Sequence, residues 1–413
     1  MDFALPYTEE QERFRQEVRS WLEENIPEEM KEPIDARDLT KEQYLFWRGK
    51  HKELAKKGWL YPTYPKEYGG GGLTGDHETI IEEEFDRARA SRGPNGGLIL
   101  STLLVWATEE QKQQFLVPML SGEKSSWQKF TEPKGGADLA DYQSRAVRDG
   151  DDWLLTGSNV FVSGRPRPQW ESGPDYLWGP MMTDPDAPRH RNLGYFMIPV
   201  PSEGLEVKEM NLLNGHDQHA IFLDNVRIPG DHLIGGDHQG WQVASTTLEQ
   251  EHGGRGRAFP RDEVVDNMMR YVQGTKEPEG NLGSDPVVQQ TAMEALIESH
   301  VDSILAKRTY WMYQARMDIN YEGNVANVHN REHQLRNAMR VREVMGMYAF
   351  LDTREPGAPH GGAQEVDQRS KAGQRHAGGS TNIAKVVLSR RIGISRTQER
   401  AAPTPSTATS HGS

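Results

Sequence analysis

The chain contains no cysteine among its 413 residues. This absence excludes disulfides, thiolate metal sites, cysteine nucleophiles and cysteine-ligated iron–sulfur clusters. Any redox chemistry must therefore come from a bound cofactor.

Long apolar runs and excess positive charge are also missing. The longest apolar run, around Leu98 to Ala107, is far too short to cross a bilayer, so we expect no membrane span. The N-terminus lacks the basic start and apolar core of a secretory signal, which predicts a cytoplasmic location. Acidic residues outnumber basic ones by 61 to 48, which argues against nucleic-acid binding. We expect a small-molecule or protein partner instead.

Helical periodicity dominates the first part of the chain, residues 1–124. Capped amphipathic patterns predict helices over about Thr8–Asn25, Lys41–Lys57 and Asp76–Ala90. The prolines and four successive glycines at 59–73 predict a loop between the second and third helices. An N-terminal all-α domain follows from this pattern.

Residues 125–238 change to a short-strand pattern. Asp149-Gly150 lies between alternating runs, which is a strong hairpin signal, and further strand patterns continue to about Gly236. These features predict a middle antiparallel β-barrel or sandwich domain.

A helical pattern returns over residues 239–394, where Asp285 and Pro286 cap and open a long helix. Its apolar stripe comprises Met293, Ile297, Val301, Ile304 and Trp311. A C-terminal α-helical bundle is predicted, and such bundles often pair between subunits. Residues 395–413 have too little apolar content to pack, which predicts a disordered tail.

Four segments follow one another between about Leu54 and Val301: LAKKGWLYPTYPKEYGGGG, EEQKQQFLVPMLSGEKSSWQKFTEPKGGADLA, TGSNVFVSG and FLDNVRIPGDHLIGGDHQGWQVA. In this order they resemble the acyl-CoA dehydrogenase family. The resemblance implies an α+β multidomain flavoprotein that binds FAD and desaturates an acyl-CoA thioester in fatty-acid metabolism. It also implies a homodimer or homotetramer and an electron-transferring flavoprotein as the electron acceptor.

The resemblance implies that the family's flavin-binding positions fall in two segments of the β domain. The matching residues are Phe130, Thr131, Glu132, Pro133 and Ala137 in the first segment, and Phe161, Val162 and Ser163 in the second. A flat, partly apolar ring system needs an aromatic wall and a few fixed hydrogen-bond donors at its polar edge. Without the resemblance, Phe161 is interpreted as a core aromatic on a strand and Thr131 as a turn residue.

Removal of the proton beside the thioester carbonyl needs a carboxylate base, which works best when partial desolvation raises its pKa. Similarity to the family in GWQVASTTLEQEHG places Glu251 at one base position, with Glu249 and His252 near the coenzyme A moiety. Ala137 stands where relatives commonly carry a serine, so one hydroxyl contact to the ligands is lost. The alternative for Glu251 is a solvated helix glutamate.

The resemblance ends after Ile394, where the sequence has no counterpart of the family's second base loop or its final helices. We therefore expect no C-terminal base and an incomplete adenosine site. Gly253-Gly254 directly after the proposed base predicts a weakened helix.

Two alternatives remain open at this point. One is a non-catalytic acyl-CoA dehydrogenase-like subunit or a truncated homologue, in agreement with the departure at the C-terminus. The other is a zinc peptidase, because His329, Glu332 and His333 match the inverted zinc-peptidase pentamer. No sequence pattern indicates the third zinc ligand that such a site needs. For the acyl-CoA dehydrogenase hypothesis we expect no metal site.

Overall fold

The fold is taken from a computed structural model of the whole chain. It describes residues 7–91, 93, 97–136, 138, 140–165, 173–213, 218–252, 262–277, 280–374 and 380–395. Within those ranges, the side chains of 249–252, 277, 280 and 372–374 are outside the description. The predicted tail, from residue 396 onward, also lies outside it.

Three amphipathic helices form the first layer of the N-terminal domain: α1 (Glu9–Asn25), α2 (Lys41–Lys57) and α3 (Gly75–Ala88). Thr8 and Thr40 each close a capping box with the glutamine three residues later, which explains where the first two helices begin. Gly58 ends α2 in the left-handed conformation, with φ of 73°. The predicted helices are confirmed to within two residues at each end.

The second layer of this domain is more apolar and packs against the sheet of the middle domain. It consists of α4 (Leu98–Trp106), the short α5 (Glu109–Gln111), a π-helical turn (Lys112–Leu116) and α6 (Val117–Leu120). Leu100, Leu103 and Phe115 from this layer share one buried core with Trp178 and Tyr195 of the middle domain. The two domains are therefore packed through a common apolar interface.

The middle domain is one seven-stranded sheet with strand order β1-β4-β2-β3-β7-β6, and β5 pairs with β4. The strands are β1 (Ser126–Gln128), β2 (Arg145–Asp149), β3 (Asp152–Ser163), β4 (Tyr176–Met182), β5 (Leu193–Pro199), β6 (Leu205–Met210) and β7 (Gln218–Pro229). The predicted hairpin joins β2 to β3, and Gly150 at its turn has φ of 64°. Most pairs are antiparallel as predicted, but β4 runs parallel to both β1 and β2.

In the described part of the chain, six α-helices follow the sheet, together with the small β8 (Lys276–Glu277) and β9 (Gly280–Asn281). They are α7 (Gly240–His252), α8 (Glu263–Gly274), α9 (Pro286–Gln314), α10 (Glu322–Met345), α11 (Ala363–Gln374) and α12 (Thr381–Arg391). The helix-β-helix architecture that the sequence predicts is confirmed. Among the described helices, none is long and apolar enough to span a membrane.

The predicted apolar stripe of α9 does not face the core of its own chain. Met293, Ile297, Val301 and Ile304 are 40–56% exposed. The buried face of the helix instead carries smaller residues such as Ala292 and Ala295. Four large apolar side chains on one open helix face form a surface suited to a protein partner.

A buried carboxylate holds α1 against α3. Glu84 is 1% exposed, and its oxygens accept hydrogen bonds from Arg15, Arg19 and Arg87 at 2.8–3.1 Å. Burial by itself would raise the pKa of Glu84, but the hydrogen bonds and charges of Arg19 and Arg87 outweigh it and lower the pKa to about 2. The network is therefore charged at neutral pH.

Replacing this carboxylate tests its contribution to stability. Glu84→Gln is expected to lower the free energy of unfolding at pH 7 by about 2 kcal/mol. This loss is smaller than the loss from breaking a fully buried ion pair, because Arg19 and Arg87 are partly exposed to solvent. Chemical denaturation measures the loss, and the exposed Glu24→Gln on α1 is the matched control.

The pH dependence of that difference has a definite sign. Because the folded pKa lies below the ordinary value of about 4.3, the stabilisation is complete above pH 5 and is lost as pH falls toward 2. The gap between wild type and Glu84→Gln should therefore shrink below pH 4. A gap that stays constant from pH 7 to pH 3 would contradict the role given to Glu84.

Candidate functional site

Two segments that the sequence analysis singled out lie side by side at one end of the sheet. The backbone N–H of Val160 donates to the carbonyl of Thr131 at 2.9 Å. The Asn159 amide donates to the same carbonyl at 3.3 Å. These bonds fix the loop after β1 against the end of β3, so Thr131 is adjacent to the stretch that contains Phe161 and Ser163.

Phe161 occupies an unusual position on β3. The pairing with β7 shifts between Asn159 and Val162, so β3 has one extra residue there and forms a bulge. Phe161 has φ of 58° and its ring is 54% exposed. A left-handed backbone costs a bulky residue roughly 1–2 kcal/mol. Strain and exposure of an aromatic ring together indicate a position kept for binding a ligand.

The two residues after Phe161 point in different directions. Val162 is 1% exposed and packs in the core of the sheet. Ser163 is exposed, and its hydroxyl oxygen accepts a hydrogen bond from the Gln218 amide at 2.6 Å. A hydroxyl that accepts one bond still has its O–H to donate. Ser163 can therefore offer a fixed donor on the open side of the sheet.

The loop that carries Thr131 is held by a buried carboxylate. Glu132 is 5% exposed, and its oxygens accept from the backbone N–H groups of Gln143 and Ser144 at 2.6 and 2.8 Å. Its carboxylate is thereby engaged inside the protein, whereas Pro133 is exposed. A Cβ on Gly136 would come within 2.9 Å of the Thr131 methyl, so glycine lets the loop close over Thr131.

Phe130 lies in the core and not on the open surface. Its ring is 8% exposed and makes edge-to-face contacts with Trp178 and Tyr195 at centroid distances of 5.7 and 6.3 Å. Its carbonyl accepts from the Tyr142 hydroxyl at 2.8 Å. Phe130 thus anchors the loop, and Phe161 is the exposed aromatic side chain of the two.

Lys129 is a buried cation that the sequence analysis did not single out. Its side chain is fully buried, and its ammonium donates to the Pro180 carbonyl at 3.4 Å. Burial lowers the pKa of Lys129 to about 8, against the attraction of Glu132, which raises it. A lysine between Trp127 and Phe130, directly after β1, is the sequence signal that could have identified it.

The helix that carries the predicted base, α7, is anchored to the same core. The Thr247 hydroxyl lies 2.7 Å from that of Thr102 on α4 and 3.2 Å from that of Tyr195 on β5. Trp106 donates its indole N–H to Thr246 at 2.9 Å. Because Tyr195 also contacts Phe130, one packed unit joins α7 to the loop of Thr131.

The predicted substrate-side residues can be placed only in part. The backbone of Glu251 lies one helical turn beyond Thr247, near the end of α7. The side chains of Glu249, Glu251 and His252 lie outside the described residues, as does Ala137 altogether. Their roles stay predictions.

The structure does not bring Glu332 to the place that a zinc peptidase needs, beside a metal held by His329 and His333. Glu332 forms ion pairs with Lys385 at 2.8 Å and Arg336 at 3.6 Å. It does not belong to the group of metal-ligating atoms that includes His329 and His333 among the described residues. The zinc-peptidase alternative therefore gains no support.

Comparison with known proteins matches both helical regions to one family. The N-terminal domain model of acyl-CoA dehydrogenases matches residues 8–123, and the C-terminal domain model matches residues 238–393. The chain belongs to the acyl-CoA dehydrogenase family.

Individual relatives of this acyl-CoA dehydrogenase family member cover nearly the whole chain. Acyl-CoA dehydrogenase FadE26 of Mycobacterium tuberculosis is 24% identical over 398 residues, 93% of this chain and 96% of that protein. FadE29 of the same organism is 28% identical over 352 residues, covering 83% and 86%. A chain of the ChsE4-ChsE5 complex from M. tuberculosis superposes with a TM-score of 0.80 at 24% identity, covering 95% and 100%.

Members of the acyl-CoA dehydrogenase family are FAD-dependent flavoproteins, and the described residues fit such a group. A strained, half-exposed aromatic at Phe161 matches the need of a flat ring system for an apolar wall. The hydroxyls of Thr131 and Ser163 lie on the two joined segments beside it. Phe161, Thr131 and Ser163 thus offer the contacts that an isoalloxazine ring needs, and we call them the flavin cradle.

Removing the Phe161 ring separates its binding role from its effect on the fold. Phe161→Gly should leave the stability of the flavin-free protein within about 1 kcal/mol of wild type, because glycine accepts a positive φ and this offsets its flexibility cost. Flavin content per chain should fall several-fold. Denaturation of the flavin-free protein and the absorbance of the purified protein provide the two readouts.

Phe222 provides the matched control, since it is a 42%-exposed phenylalanine on β7 with no positive φ. Phe222→Gly should lower stability and leave flavin content unchanged. The cradle assignment would be rejected if Phe161→Gly retained full flavin content.

Proposed function

We propose that this protein is an FAD-dependent acyl-CoA dehydrogenase that introduces a trans double bond between the α and β carbons of an acyl-CoA thioester. The observation that carries the proposal is the Phe161 bulge, joined to Thr131 by the Val160–Thr131 backbone hydrogen bond. Membership of the family gives this arrangement its meaning. The bound flavin supplies an acceptor for the hydride that leaves the β carbon.

The residues around the flavin have three tasks in this proposal. Phe161 covers one side of the ring system and keeps water from it. Ser163 and the Thr131 hydroxyl direct hydrogen bonds to its polar edge, and the Glu132 carboxylate keeps the Thr131 loop in position through Gln143 and Ser144. Because buried hydrogen bonds already hold the Thr131 loop, its donors need not rearrange when the reaction begins.

Glu251 is the proposed base that removes the α proton of the thioester. Its backbone lies at the end of α7, whose position is fixed by Thr247 against Tyr195. Glu249, His252 and Ala137 are proposed to contact the coenzyme A moiety, each by its match to the family. Because the base and the cradle rest on one core, the distance between them is set by packed side chains and not by a free loop.

Electrons are proposed to leave through an electron-transferring flavoprotein. The support for this partner is membership of the acyl-CoA dehydrogenase family. The physiological acceptor is tested by replacing an artificial dye with purified electron-transferring flavoprotein in the same assay.

A second copy of this chain is proposed to cover the open face of α9. Its exposed residues Met293, Ile297, Val301 and Ile304 repeat at three- and four-residue spacing, the pattern of a helix-packing seam. Leaving such a stripe in water is unfavourable by about 25 cal/mol for each Å² of apolar surface. A homodimer or homotetramer removes this cost.

Glu251→Gln tests the assignment of the base. The variant should keep its flavin and lose turnover by roughly 10²- to 10⁴-fold, since the amide cannot accept the α proton. Steady-state reduction of an electron acceptor with a panel of acyl-CoA thioesters measures the loss.

Glu249→Gln is the neighbouring control on the same helix turn. A residue that only binds coenzyme A should raise KM with little change in kcat. Turnover that is unchanged in Glu251→Gln would reject Glu251 as the base and leave the flavin assignment standing.

Ile297→Asp tests the proposed pairing of α9. A charge in the centre of the stripe should reduce the molar mass in solution from a multiple of 46.7 kDa to the single chain. Light scattering after size-exclusion chromatography measures the mass. Val287→Asp, at a more exposed position off the stripe near the start of α9, is expected to leave the assembly unchanged. A wild-type monomer would contradict the proposal.

A further inference from the structure

A histidine-rich polar cluster lies inside the C-terminal helical bundle, on helices that carry none of the proposed flavin-site residues. It is formed by Asp302 on α9, His329 and His333 on α10, and Asp262 at the start of α8. His333 is only 2% exposed, and the side chains of the other three are 18–23% exposed. Titratable groups buried together in this way need a physical reason.

Distances within the cluster match those of a coordination sphere. Both imidazole Nδ1 atoms lie near the same oxygen of Asp302, His329 at 3.2 Å and His333 at 3.5 Å. Ligand atoms around a tetrahedral zinc ion are about 3.3 Å apart, given bonds of about 2.0–2.1 Å. The histidines are one helical turn apart, and their rings are nearly parallel with centroids separated by 5.3 Å.

The hydrogen bonds of His333 leave a lone pair directed at Asp302. Its Nε2 lies 3.4 Å from an oxygen of Asp262, which as a carboxylate can only accept, so Nε2 carries the proton. In the neutral ring Nδ1 is then an acceptor, and it is a buried atom with no hydrogen-bond partner. Nδ1 and the Asp302 oxygen then face each other at 3.5 Å, so a metal ion placed between them would be bound by both.

The neighbouring residues orient the ligands without neutralising them. Asn330 donates to the second oxygen of Asp302 at 2.9 Å and so turns the first toward the histidines. Lys371, the cation that lines the same space, donates to Asp367 and Gln334 at 2.9 and 3.1 Å. Lys371 is thus engaged elsewhere, and the partners of the first Asp302 oxygen are the two histidines. Such outer contacts are typical of metal ligands.

A cavity of about 230 Å³ adjoins the cluster. Its lining includes Asp262, Asp302, His333, Asn330 and Asn337. This volume accommodates an ion together with the waters that complete its coordination, since one water takes about 30 Å³ of liquid volume.

We propose that Asp302, His329 and His333 bind one divalent transition-metal ion of the zinc class, with Asp262 orienting His333 and Asn330 orienting Asp302. Two imidazoles and one carboxylate form a donor set that suits such an ion, and water occupies the remaining position. The ion links α9 to α10 and, through Asp262, to the first turn of α8. Its role is to hold the helical bundle together, independently of the flavin chemistry.

Metal binding is measured on the purified full-length protein after dialysis against a chelator. Titration with Zn²⁺ should give one ion per chain and raise the melting temperature, and Co²⁺ in its place should produce the visible bands of a nitrogen-ligated low-symmetry site. Neither readout depends on flavin content or turnover, so failure of this proposal is distinct from failure of the proposed enzyme function.

Variants identify the ligands. Asp302→Asn and His329→Gln should each weaken Zn²⁺ binding more than 100-fold, and Asp262→Asn should weaken it by 10- to 100-fold as an orienting residue. His300→Gln, an exposed histidine on α9 two residues before Asp302, is the matched control and should bind normally.

Absence of saturable Zn²⁺ binding by the wild type would overturn the proposal. Equal affinity in His329→Gln and His300→Gln would overturn it as well. Should the ligand variants fail to fold, the Co²⁺ spectrum of the wild type decides alone, because octahedral aqueous-type bands contradict imidazole ligation.

Discussion

The one-residue excess of β3 over β7 between Asn159 and Val162 is the constraint on which the proposed site depends. Because Val162 is locked into the buried core and Val160 is bonded to Thr131, the intervening Phe161 can only turn outward with a positive φ. The energy stored in that residue is offset by the packing on either side of it. A ring system bound there would meet a surface that is already formed.

The same core links the cradle to the helix that carries the proposed base. Tyr195 contacts Phe130 with its ring and Thr247 with its hydroxyl, so a single side chain spans from the Thr131 loop to α7. Catalysis by an acyl-CoA dehydrogenase removes a proton and a hydride from adjacent carbons, and both acceptors must be held at fixed separation. A buried aromatic core supplies that rigidity better than surface loops would.

Local features of the fold were predictable, and features that depend on distant partners were not. Thr8, Thr40 and Gly58 act within one helical turn, so the bounds of α1 and α2 follow from the sequence. The family resemblance named Phe161 and Thr131, but the bulge depends on the register with β7, which no local pattern records. Periodicity identified the stripe on α9 without revealing that it faces away from the chain. Asp302 was missed because it is 27 residues from His329 and on another helix.

The most direct test is the visible absorption spectrum of the purified protein, recorded before and after anaerobic addition of acyl-CoA thioesters of short, long and branched chains. We expect a yellow protein, with flavin bound in the cradle beside Phe161, that bleaches with at least one thioester as the hydride is transferred. A colourless protein that takes up no FAD, or a yellow one that keeps its colour with every thioester, would contradict it.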